Sequence, residues 1–380
     1  MTENKNKLAV YAICKNESQF VDKWLDSMKE ADYICVLDTG STDDTYQKLC
    51  DRKTSYPNLI VSQKIITPWR FDVARNESLK LVPEDANILL CTDLDEVLEP
   101  GYGDLLRNNW IEGKHERAEY MYTWSHLAGG TPGRIFKYNK VHNKNWKWYA
   151  PVHEYLARVE DKSIRNYSTD TTLILTDEPT KMMLHHYPDI TKSRANYIDL
   201  LKLRCKEDPD DYNGKVYLAN EYMYKGFPKE CIDAYQSIKD DSIHFLSYER
   251  AAMYVAIAEC YIHLEDYVNA SAAIRQSLLL DNKAREPYLV AASMHLRLNE
   301  NEIAIGCINA ALKNCYRHYV YTERDTSWTY EPYDLLCLAK FYSGDKEGAL
   351  VAAEQAVKFA PEDTRLKNNV KIIRDSLEVK

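Results

Sequence analysis

The chain has 380 residues, of which 58 are acidic and 49 basic, so its net charge at pH 7 is −9. A chain of this length favours two domains over one. The negative balance argues against broad binding to nucleic acid or to an anionic membrane surface, although it leaves room for a small basic pocket.

Ten cysteines are scattered along the chain without a Cys-x-x-Cys pair, and several lie in apolar segments. This pattern favours buried, reduced thiols over a zinc site or a disulfide framework. The polar first residues lead directly into an apolar strand pattern, which is not typical of a signal peptide. No apolar run approaches the roughly 18 residues that cross a bilayer. We therefore expect a soluble, cytoplasmic protein without a transmembrane segment.

The first half of the chain, from Leu8 to about Tyr187, alternates strand and helix patterns. The predicted strands are Leu8–Ile13, Tyr33–Leu37, Leu59–Val61 and Ile88–Cys91. The predicted helices between them are Ser18–Met28, Tyr46–Cys50 and Asp72–Leu81. Such alternation indicates an α/β domain with a mostly parallel sheet that is covered on both faces.

A cluster of carboxylates, Asp93-Leu94-Asp95-Glu96, follows directly on the fourth predicted strand. Open α/β sheets bind their ligands at this carboxyl edge. Several negative charges beside a buried strand call for a cation, and divalent ions that hold phosphate prefer oxygen ligands. The sequence therefore predicts a metal and phosphate site, with a solvated acidic loop as the alternative.

From about Asp210 the strand patterns stop and a helical repeat begins. Five positions in one copy recur after 34 residues: Ala258, Tyr261, Ala270, Ile274 and Ser277 become Ala292, His295, Ala304, Ile308 and Ala311. An earlier copy includes Ala219 and Cys231, and a later copy includes Ala349 and Ala353. A 34-residue period with small residues at the crossing points resembles tetratricopeptide repeats, which stack helix pairs around a concave groove. We predict domains at 1–190 and 210–380, joined by a linking helix within 191–209.

Several motifs of the first half occur in the order and spacing of family-two glycosyltransferases with the GT-A fold. They are Ala12–Glu17, Asp38–Thr45, Phe71–Asn76, Thr92–Glu96, Gly133–Lys137 and Pro151–Glu154. The last two resemble motifs of a bacterial branch that is fused to tetratricopeptide repeats. The resemblance implies an α/β, GT-A nucleotide-sugar-binding domain followed by an all-α repeat domain. It also implies transfer of a sugar, with inversion, from a nucleotide diphosphate sugar.

The resemblance assigns a role to each candidate residue on the donor side. Asp95 is the expected ligand of Mn²⁺ or Mg²⁺, with Asp93 near the ribose or sharing the cation. The resemblance implies that a histidine from the end of the domain completes the metal shell. Only one of His185 and His186 can face the site, since adjacent strand residues point to opposite sides. The family pattern does not settle which of the two it is, and we favour His186. Asp38 is expected to contact the base, where a carboxylate favours uracil, and a turn-forming role is its alternative. The remaining donor-side candidates are Glu17 and Arg75, the latter near the diphosphate or in a structural ion pair.

On the acceptor side, the resemblance points to Glu154 as the base that takes the acceptor proton, with His153 beside it. A purely structural role is the alternative for Glu154. Trp146 and Trp148 could stack on a sugar or pack in the core. Lys192 and Arg194 could reach the diphosphate, although surface positions are the simpler interpretation.

The expected acceptor is a peptide or protein side chain, because the repeat groove suits an extended peptide and related bacterial enzymes glycosylate peptides on Cys or Ser. A homodimer through the repeat domain is a further expectation. Three alternatives stay open: transfer to a cell-envelope saccharide, nucleotidyl transfer, and a non-catalytic scaffold that recruits partners. Nucleotidyl transfer is disfavoured, since Ala12–Glu17 contains no glycine for a triphosphate loop.

Overall fold

The computed structural model describes residues 6–126, 130–160, 169–189, 196–314, 316–318 and 324–378. Contacts divide the chain into two compact units. The first unit comprises residues 1–125 and 135–204, and the second comprises residues 126–134 and 205–380. The sequence did not predict that 126–134 belongs to the second unit. Lys192 and Arg194 lie outside the described residues.

The first unit consists of a mixed sheet and short helices. Its described strands are β1 (Leu8–Cys14), β2 (Tyr33–Asp38), β3 (Leu59–Gln63), β4 (Ile88–Asp93), β5 (Glu96–Leu98), β6 (Arg117–Thr123), β7 (Ile135–His142), β8 (Trp146–Tyr149), β9 (Tyr155–Arg158), β10 (Thr172–Leu175) and β11 (Met183–His186). Its described helices are α1 (Val21–Met28), α2 (Thr45–Arg52), α3 (Phe71–Leu79) and α4 (Tyr102–Asn109). Helix α5 (Tyr197–Glu207) continues from the first unit into the second.

The main sheet has the strand order β3-β2-β1-β4-β7-β6-β11-β5, and β10 also pairs with β6. Strands β1 to β4 are parallel to one another, as the alternating pattern predicts. Strand β7 runs antiparallel to both β4 and β6, and β5 runs antiparallel to β11, so the sheet as a whole is mixed. All seven residues of β1 are buried, as expected for a strand with parallel neighbours on both sides and cover on both faces.

The second unit is built from helix pairs, which confirms the predicted repeat array. Its described helices are α6 (Tyr212–Tyr224), α7 (Pro228–Gln236), α8 (Ser247–His263), α9 (Tyr267–Leu280), α10 (Glu286–Arg297), α11 (Asn301–Lys313), α12 (Glu331–Ser343), α13 (Lys346–Phe359) and α14 (Thr364–Glu378). Alanines at the repeated positions are fully buried, among them Ala258, Ala270, Ala292 and Ala304. Small side chains there let neighbouring helices approach closely, which explains why small residues recur at these positions from copy to copy.

The nine cysteines among the described residues are free, and those predicted to lie in apolar segments are buried: Cys35, Cys91, Cys260 and Cys337. Within the same part of the chain, no helix is both long enough and apolar enough to cross a bilayer.

Candidate functional site

Three strands of the first unit deliver polar residues to one edge of the sheet. Strand β1 lies between β2 and β4, with Cys14 opposite Asp38 and Ile13 opposite Asp93. Asp38 and Asp93 therefore end two strands that flank β1 on opposite sides. Because β2 and β3 extend from one side of β1 and β4 from the other, this edge is where open α/β sheets form a ligand crevice.

Asp38 is fully buried and accepts hydrogen bonds within its own turn. The backbone N–H groups of Gly40 and Ser41 donate to its Oδ1 at 2.9 Å each, and Gln63 Nε2 donates at 3.0 Å. Burial by itself would raise the pKa of Asp38, but these bonds and one from the Ser41 hydroxyl outweigh it and lower the pKa. The turn-forming role of Asp38 is thus present, while its contact with a nucleotide base stays a prediction.

The loop after β1 is tied to the loop after β2. Asn16, at φ 55°, accepts a hydrogen bond through Oδ1 from the Thr42 backbone at 2.7 Å. The backbone N–H of Glu17 donates to the Thr45 hydroxyl at 2.8 Å, and the Glu17 residue is buried. The two loops are therefore held together at the edge of the sheet where β1 and β2 end, close to Asp38.

Five ionisable side chains form a network around the end of β4, called here the charge network: Glu154, Arg75, Asp93, Lys140 and Glu96. Arg75 Nη1 lies 2.9 Å from Asp93 Oδ1, and Arg75 Nε donates to Glu154. Lys140 Nζ lies 3.2 Å from Asp93 and 3.1 Å from Glu96. Positive and negative groups alternate along the network, which is how charges removed from water are made tolerable.

Burial and neighbouring charges shift the pKa values within the charge network in opposite directions. Burial would raise the pKa of Asp93, but the adjacent Arg75 and Lys140 outweigh it, so the pKa is lowered. For Glu96, burial prevails over the attraction of Lys140, and the repulsion from Asp93 adds to it, so the pKa is raised. Asp93 is therefore firmly ionised, whereas Glu96 accepts a proton more readily than an exposed glutamate.

Asp95 and His186 face each other beyond the network. His186 Nε2 lies 3.4 Å from Asp95 Oδ2, and its Nδ1 lies 3.2 Å from the carbonyl oxygen of Trp124. His185 points elsewhere, with Nε2 at 2.9 Å from Glu99. Strand alternation thus turns the favoured His186, and not His185, toward Asp95.

Without a bound cation, His186 and the Asp95 carboxylate attract one another only when the His186 ring carries a proton on both nitrogens. A carbonyl can only accept, so His186 must carry its proton on Nδ1. In the neutral ring the Nε2 lone pair would then oppose the Asp95 carboxylate. Burial lowers the pKa of His186, but Asp95 outweighs this effect and raises it, which favours a second proton on Nε2. A divalent cation between Oδ2 and Nε2 would satisfy both atoms equally well, so these residues suit a metal ion.

The three predicted metal ligands are nevertheless not assembled as one cluster. Within the described residues, no group of three or more His, Cys, Asp or Glu side chains is arranged to hold a metal ion. Asp93 is drawn instead to Arg75 and Lys140, which already neutralise it. Only Asp95 and His186 lie together in the manner that the resemblance implies.

Glu154 and His153 lie in the loop between β8 and β9, two strands that pair antiparallel with one another, but the two residues have different surroundings. The side chain of Glu154 is 10% exposed and forms an ion pair with Arg75. The structural ion pair that was one of the two interpretations of Arg75 is therefore present. His153 has φ 48°, its carbonyl accepts a hydrogen bond from Arg204 at 2.6 Å, and its ring packs against Tyr197. The role of Glu154 as a base stays a prediction.

Trp146 and Trp148 are each only 4% exposed and pack in a core with residues of β1 and β4. Core packing is therefore the correct interpretation of both, and neither can stack on a sugar.

Sequence reasoning missed Lys140 and two aromatic residues beside the site. The Tyr122 hydroxyl donates to Glu96 at 2.8 Å, and the ring of Trp124 lies 4.8 Å from that of His186. The sequence contains one indication of the position of Lys140. Residues two apart in a strand share a face, so Lys140 lies on the same face of β7 as the rings of Phe136, Tyr138 and His142. A single lysine in such a pattern does not identify its partners.

The second unit contains a cavity of about 250 Å³ between helices of the array, with a lining of tyrosines, alanines and carboxylates. Among the described residues that line this cavity, Arg134 is the one that belongs to a motif of the first half.

Comparisons with known proteins match part of the chain. No family model matches, and no curated protein matches. Among solved structures, TTC0263, a thermophilic TPR protein of Thermus thermophilus, is 16% identical, covers 46% of this chain and 88% of its own, and has a TM-score of 0.38. YrrB, a TPR protein with an unusual peptide-binding site, is 14% identical, covering 46% of this chain and 81% of its own at a TM-score of 0.33. The APC/C hetero-tetramer Cut9-Hcn1 is 13% identical, covering 49% of this chain and 34% of its own at 0.40.

Proposed function

We propose that the first unit is a metal-dependent, inverting glycosyltransferase that takes a sugar from a nucleotide diphosphate sugar, most simply a UDP-sugar. The second unit would present the acceptor, a peptide or protein side chain. The motifs that resemble family-two glycosyltransferases support the donor, and the helix pairs of the second unit support a peptide partner.

The observation that carries this proposal is the Asp95–His186 pair at the carboxyl edge of the parallel strands. The 3.4 Å separation leaves a carboxylate oxygen and a ring nitrogen facing one another. Mn²⁺ accepts this donor combination, and Mg²⁺ accepts the oxygen. When bound there, the cation would offset the charge that develops on the leaving diphosphate.

The other residues of the edge would bind and orient the substrates. Asp38 and Glu17 would lie along the nucleotide, and Asp93 along the ribose. Arg75 contacts Asp93 and Glu154 directly, so we assign it to positioning these two carboxylates. Glu154 would take the acceptor proton on its Oε2, since Arg75 contacts its Oε1, and His153 would lie beside it.

Calorimetric titration of the full chain with UDP, with and without Mn²⁺, tests the donor site. We expect metal-dependent binding that Asp95→Asn weakens at least about tenfold, because the amide keeps the shape of the carboxylate but loses its charge. Asp104→Asn is the matched control, since this aspartate of α4 has a side chain that is 91% exposed. Hydrolysis of a panel of nucleotide sugars under the same conditions would name the sugar.

Wild-type protein that binds neither UDP nor any nucleotide sugar with Mn²⁺ present would refute the transferase proposal. Equal weakening by Asp95→Asn and Asp104→Asn would refute the assignment of Asp95.

A second candidate function is a non-catalytic scaffold that recruits a protein partner. Two observations favour it: Asp93 is already neutralised by two cations, and the second unit has a cavity of its own. This account predicts no nucleotide binding and intact partner binding, so the same titration separates the two. Transfer to a cell-envelope saccharide differs only in the acceptor, and homodimerisation through the second unit stays a prediction.

A further inference from the structure

The cavity of the second unit, called here the helical cavity, is lined mainly by helices α6 and α8 and the start of α10, together with His318, Arg324 and Trp328. Its volume is about 250 Å³, which accommodates one long side chain together with a stretch of backbone. Tyrosines and alanines form much of its surface, including Tyr217, Tyr248, Ala252 and Ala256. The lining therefore offers aromatic faces and little steric bulk.

Negative charge exceeds positive charge around this cavity. Among the described residues, four carboxylates line it, against two guanidinium groups: Glu249, Glu259, Asp281 and Glu286, with Arg134 and Arg324. The difference is two negative charges, or one if His318 is protonated. An excess of this sign repels phosphate and carboxylate ligands and attracts a cationic one.

Both guanidinium groups of the lining already contact carboxylates of the protein. Arg324 Nη1 contacts Glu259, and Arg134 Nε lies 3.4 Å from Asp325. These contacts reduce the attraction that either arginine could offer to an anionic ligand. The arginines therefore do not convert the helical cavity into an anion site.

Glu249 differs from the other carboxylates in its surroundings. Asp281 lies 2.6 Å from His318 Nε2, whereas Glu249 accepts a hydrogen bond from the Leu246 backbone at the start of α8. That contact is with a neutral donor, and no ion pair among the described residues compensates the charge of Glu249. A cationic side chain in the helical cavity would supply the compensating charge.

The same lining holds hydrogen-bonding groups that suit a polypeptide backbone. Asn220 accepts through Oδ1 from the Tyr235 hydroxyl at 2.6 Å, so its amide NH₂ can donate. Arg324 Nη2 and Trp328 Nε1 are shielded from water and have no acceptor in the described part of the chain. A buried donor without an acceptor is costly, and a peptide carbonyl entering the cavity would relieve this cost.

We propose that the helical cavity binds an extended peptide segment through a lysine or arginine side chain. The carboxylates neutralise its charge and the tyrosine faces attract it, since a cation over an aromatic ring is stabilised by the ring quadrupole. The backbone of the segment is held by the amide and indole donors. This inference rests on the part of the proposed function that gives the second unit a peptide ligand, and it adds the chemistry by which that ligand is selected.

The test uses capped nonapeptide pools that are degenerate at every position except the centre, which is fixed as lysine, arginine, alanine or glutamate. Immobilised full-length protein is incubated with each pool at low ionic strength, and the retained peptide is quantified. We expect the lysine and arginine pools to be retained about fivefold more than the alanine pool, with the glutamate pool lowest. Addition of salt should reduce the preference.

One substitution then connects the preference to the cavity. In Glu249→Gln the preference for a basic centre should fall to about twofold or less, because the uncompensated charge is removed. The fold should be kept, since the side-chain oxygen of the amide can still accept from the Leu246 backbone. Glu347→Gln, at an exposed position of α13, is the matched control and should behave as wild type.

The outcomes separate the inference from the function on which it rests. Retention of all pools to the same extent, or of the glutamate pool most strongly, overturns the inference but leaves peptide binding standing. A preference that survives Glu249→Gln in full overturns the assignment to this cavity. Retention of no pool at all overturns both the inference and the peptide ligand of the second unit.

Discussion

Lys140 compensates two carboxylates at once, and no sequence motif marks it. Its ammonium group contacts Asp93 and Glu96, and its side chain is only 7% exposed. Burial of three charges costs desolvation energy, and this cost is tolerable only while each charge has a partner. The residue thus has a stabilising role that is separate from any contact with substrate.

Replacing Lys140 by methionine should lower the unfolding free energy of the first unit by about 3 kcal/mol, because the buried Glu96 and the partly buried Asp93 lose their shared cation. Lys137→Met on the same strand is the control: this lysine is 58% exposed and pairs with Glu119, so its loss should cost under about 1 kcal/mol. Urea unfolding followed by tryptophan fluorescence measures this, because six of the seven tryptophans lie in the first unit. Equal effects of the two substitutions would contradict the account.

A second buried group, His142, links stability to pH. Trp148 Nε1 donates to the Tyr11 hydroxyl at 2.8 Å, Tyr11 donates to His142 Nε2 at 2.6 Å, and His142 Nδ1 donates to the Asn143 carbonyl at 2.7 Å. The neutral ring therefore satisfies both of its nitrogens. Burial lowers the pKa of His142 to about 4, with the Asn143 carbonyl acting in the opposite direction.

The sign of the pH dependence follows from this lowered pKa. In the unfolded chain the pKa of a histidine is about 6.5, so between about pH 6.5 and pH 4 the unfolded state binds the proton and the folded state does not. The unfolding free energy should therefore fall by about 2 kcal/mol between about pH 7 and pH 5 on account of His142. His142→Gln should flatten this dependence, whereas His263→Gln, at an exposed position of α8, should leave it unchanged. A slope that is the same in wild type and His142→Gln would disprove the assignment.

At the scale of elements, sequence patterns predicted the regular parts of both units and missed the mixed part of the sheet. Strands β1 to β4 were found because each is a short apolar run bounded by turn residues. Strand β5 has only three residues, and the apolar–polar alternation at the start of β7 breaks at the adjacent polar residues Asn139 and Lys140, so neither strand was predicted. The pairing of β7 between β4 and β6 depends on contacts far apart in sequence, which local patterns do not encode.

The same contrast applies to the candidate site. Asp93 and Asp95 were candidates because they follow an apolar strand, and His186 was one because it ends an apolar run; their roles stay predictions. Lys140 and Tyr122 were missed because their roles depend on distant partners, as with Lys140 and Glu96, which are 44 residues apart. The alternation of side chains along β11 separates His186 from His185, but only the neighbouring elements show which of the two faces Asp95.

The helical repeat gives a prediction at this scale, because close packing of its helices requires small residues such as alanine at the repeated positions. Ala270 of α9 is fully buried, whereas the adjacent Ser271 is exposed. Ala270→Leu should destabilise the second unit by about 1–3 kcal/mol through overpacking, and Ser271→Leu should change it by less than about 0.5 kcal/mol. Thermal unfolding followed by circular dichroism at the helical signal compares the two. A well-tolerated leucine at position 270 would mean that the helices there are not closely packed.

At the scale of the whole molecule, the proposals assign different ligands to different units. The donor residues belong to the first unit, and the carboxylates of the helical cavity belong to the second. Substitutions that share no partner are expected to act independently. The two functions can therefore be tested in the same full-length protein without dividing the chain.

We expect Asp95→Asn to weaken metal-dependent UDP binding at least about tenfold while it leaves retention of lysine-centred peptides unchanged. Glu249→Gln should have the reverse effect, because this substitution alters charge only around the helical cavity. Both ligands are measured on each variant, by calorimetry for UDP and by pool retention for peptide, with Asp104→Asn and Glu347→Gln as controls. A variant that weakened the binding of both ligands would show that the two sites are energetically coupled, and it would contradict their independence.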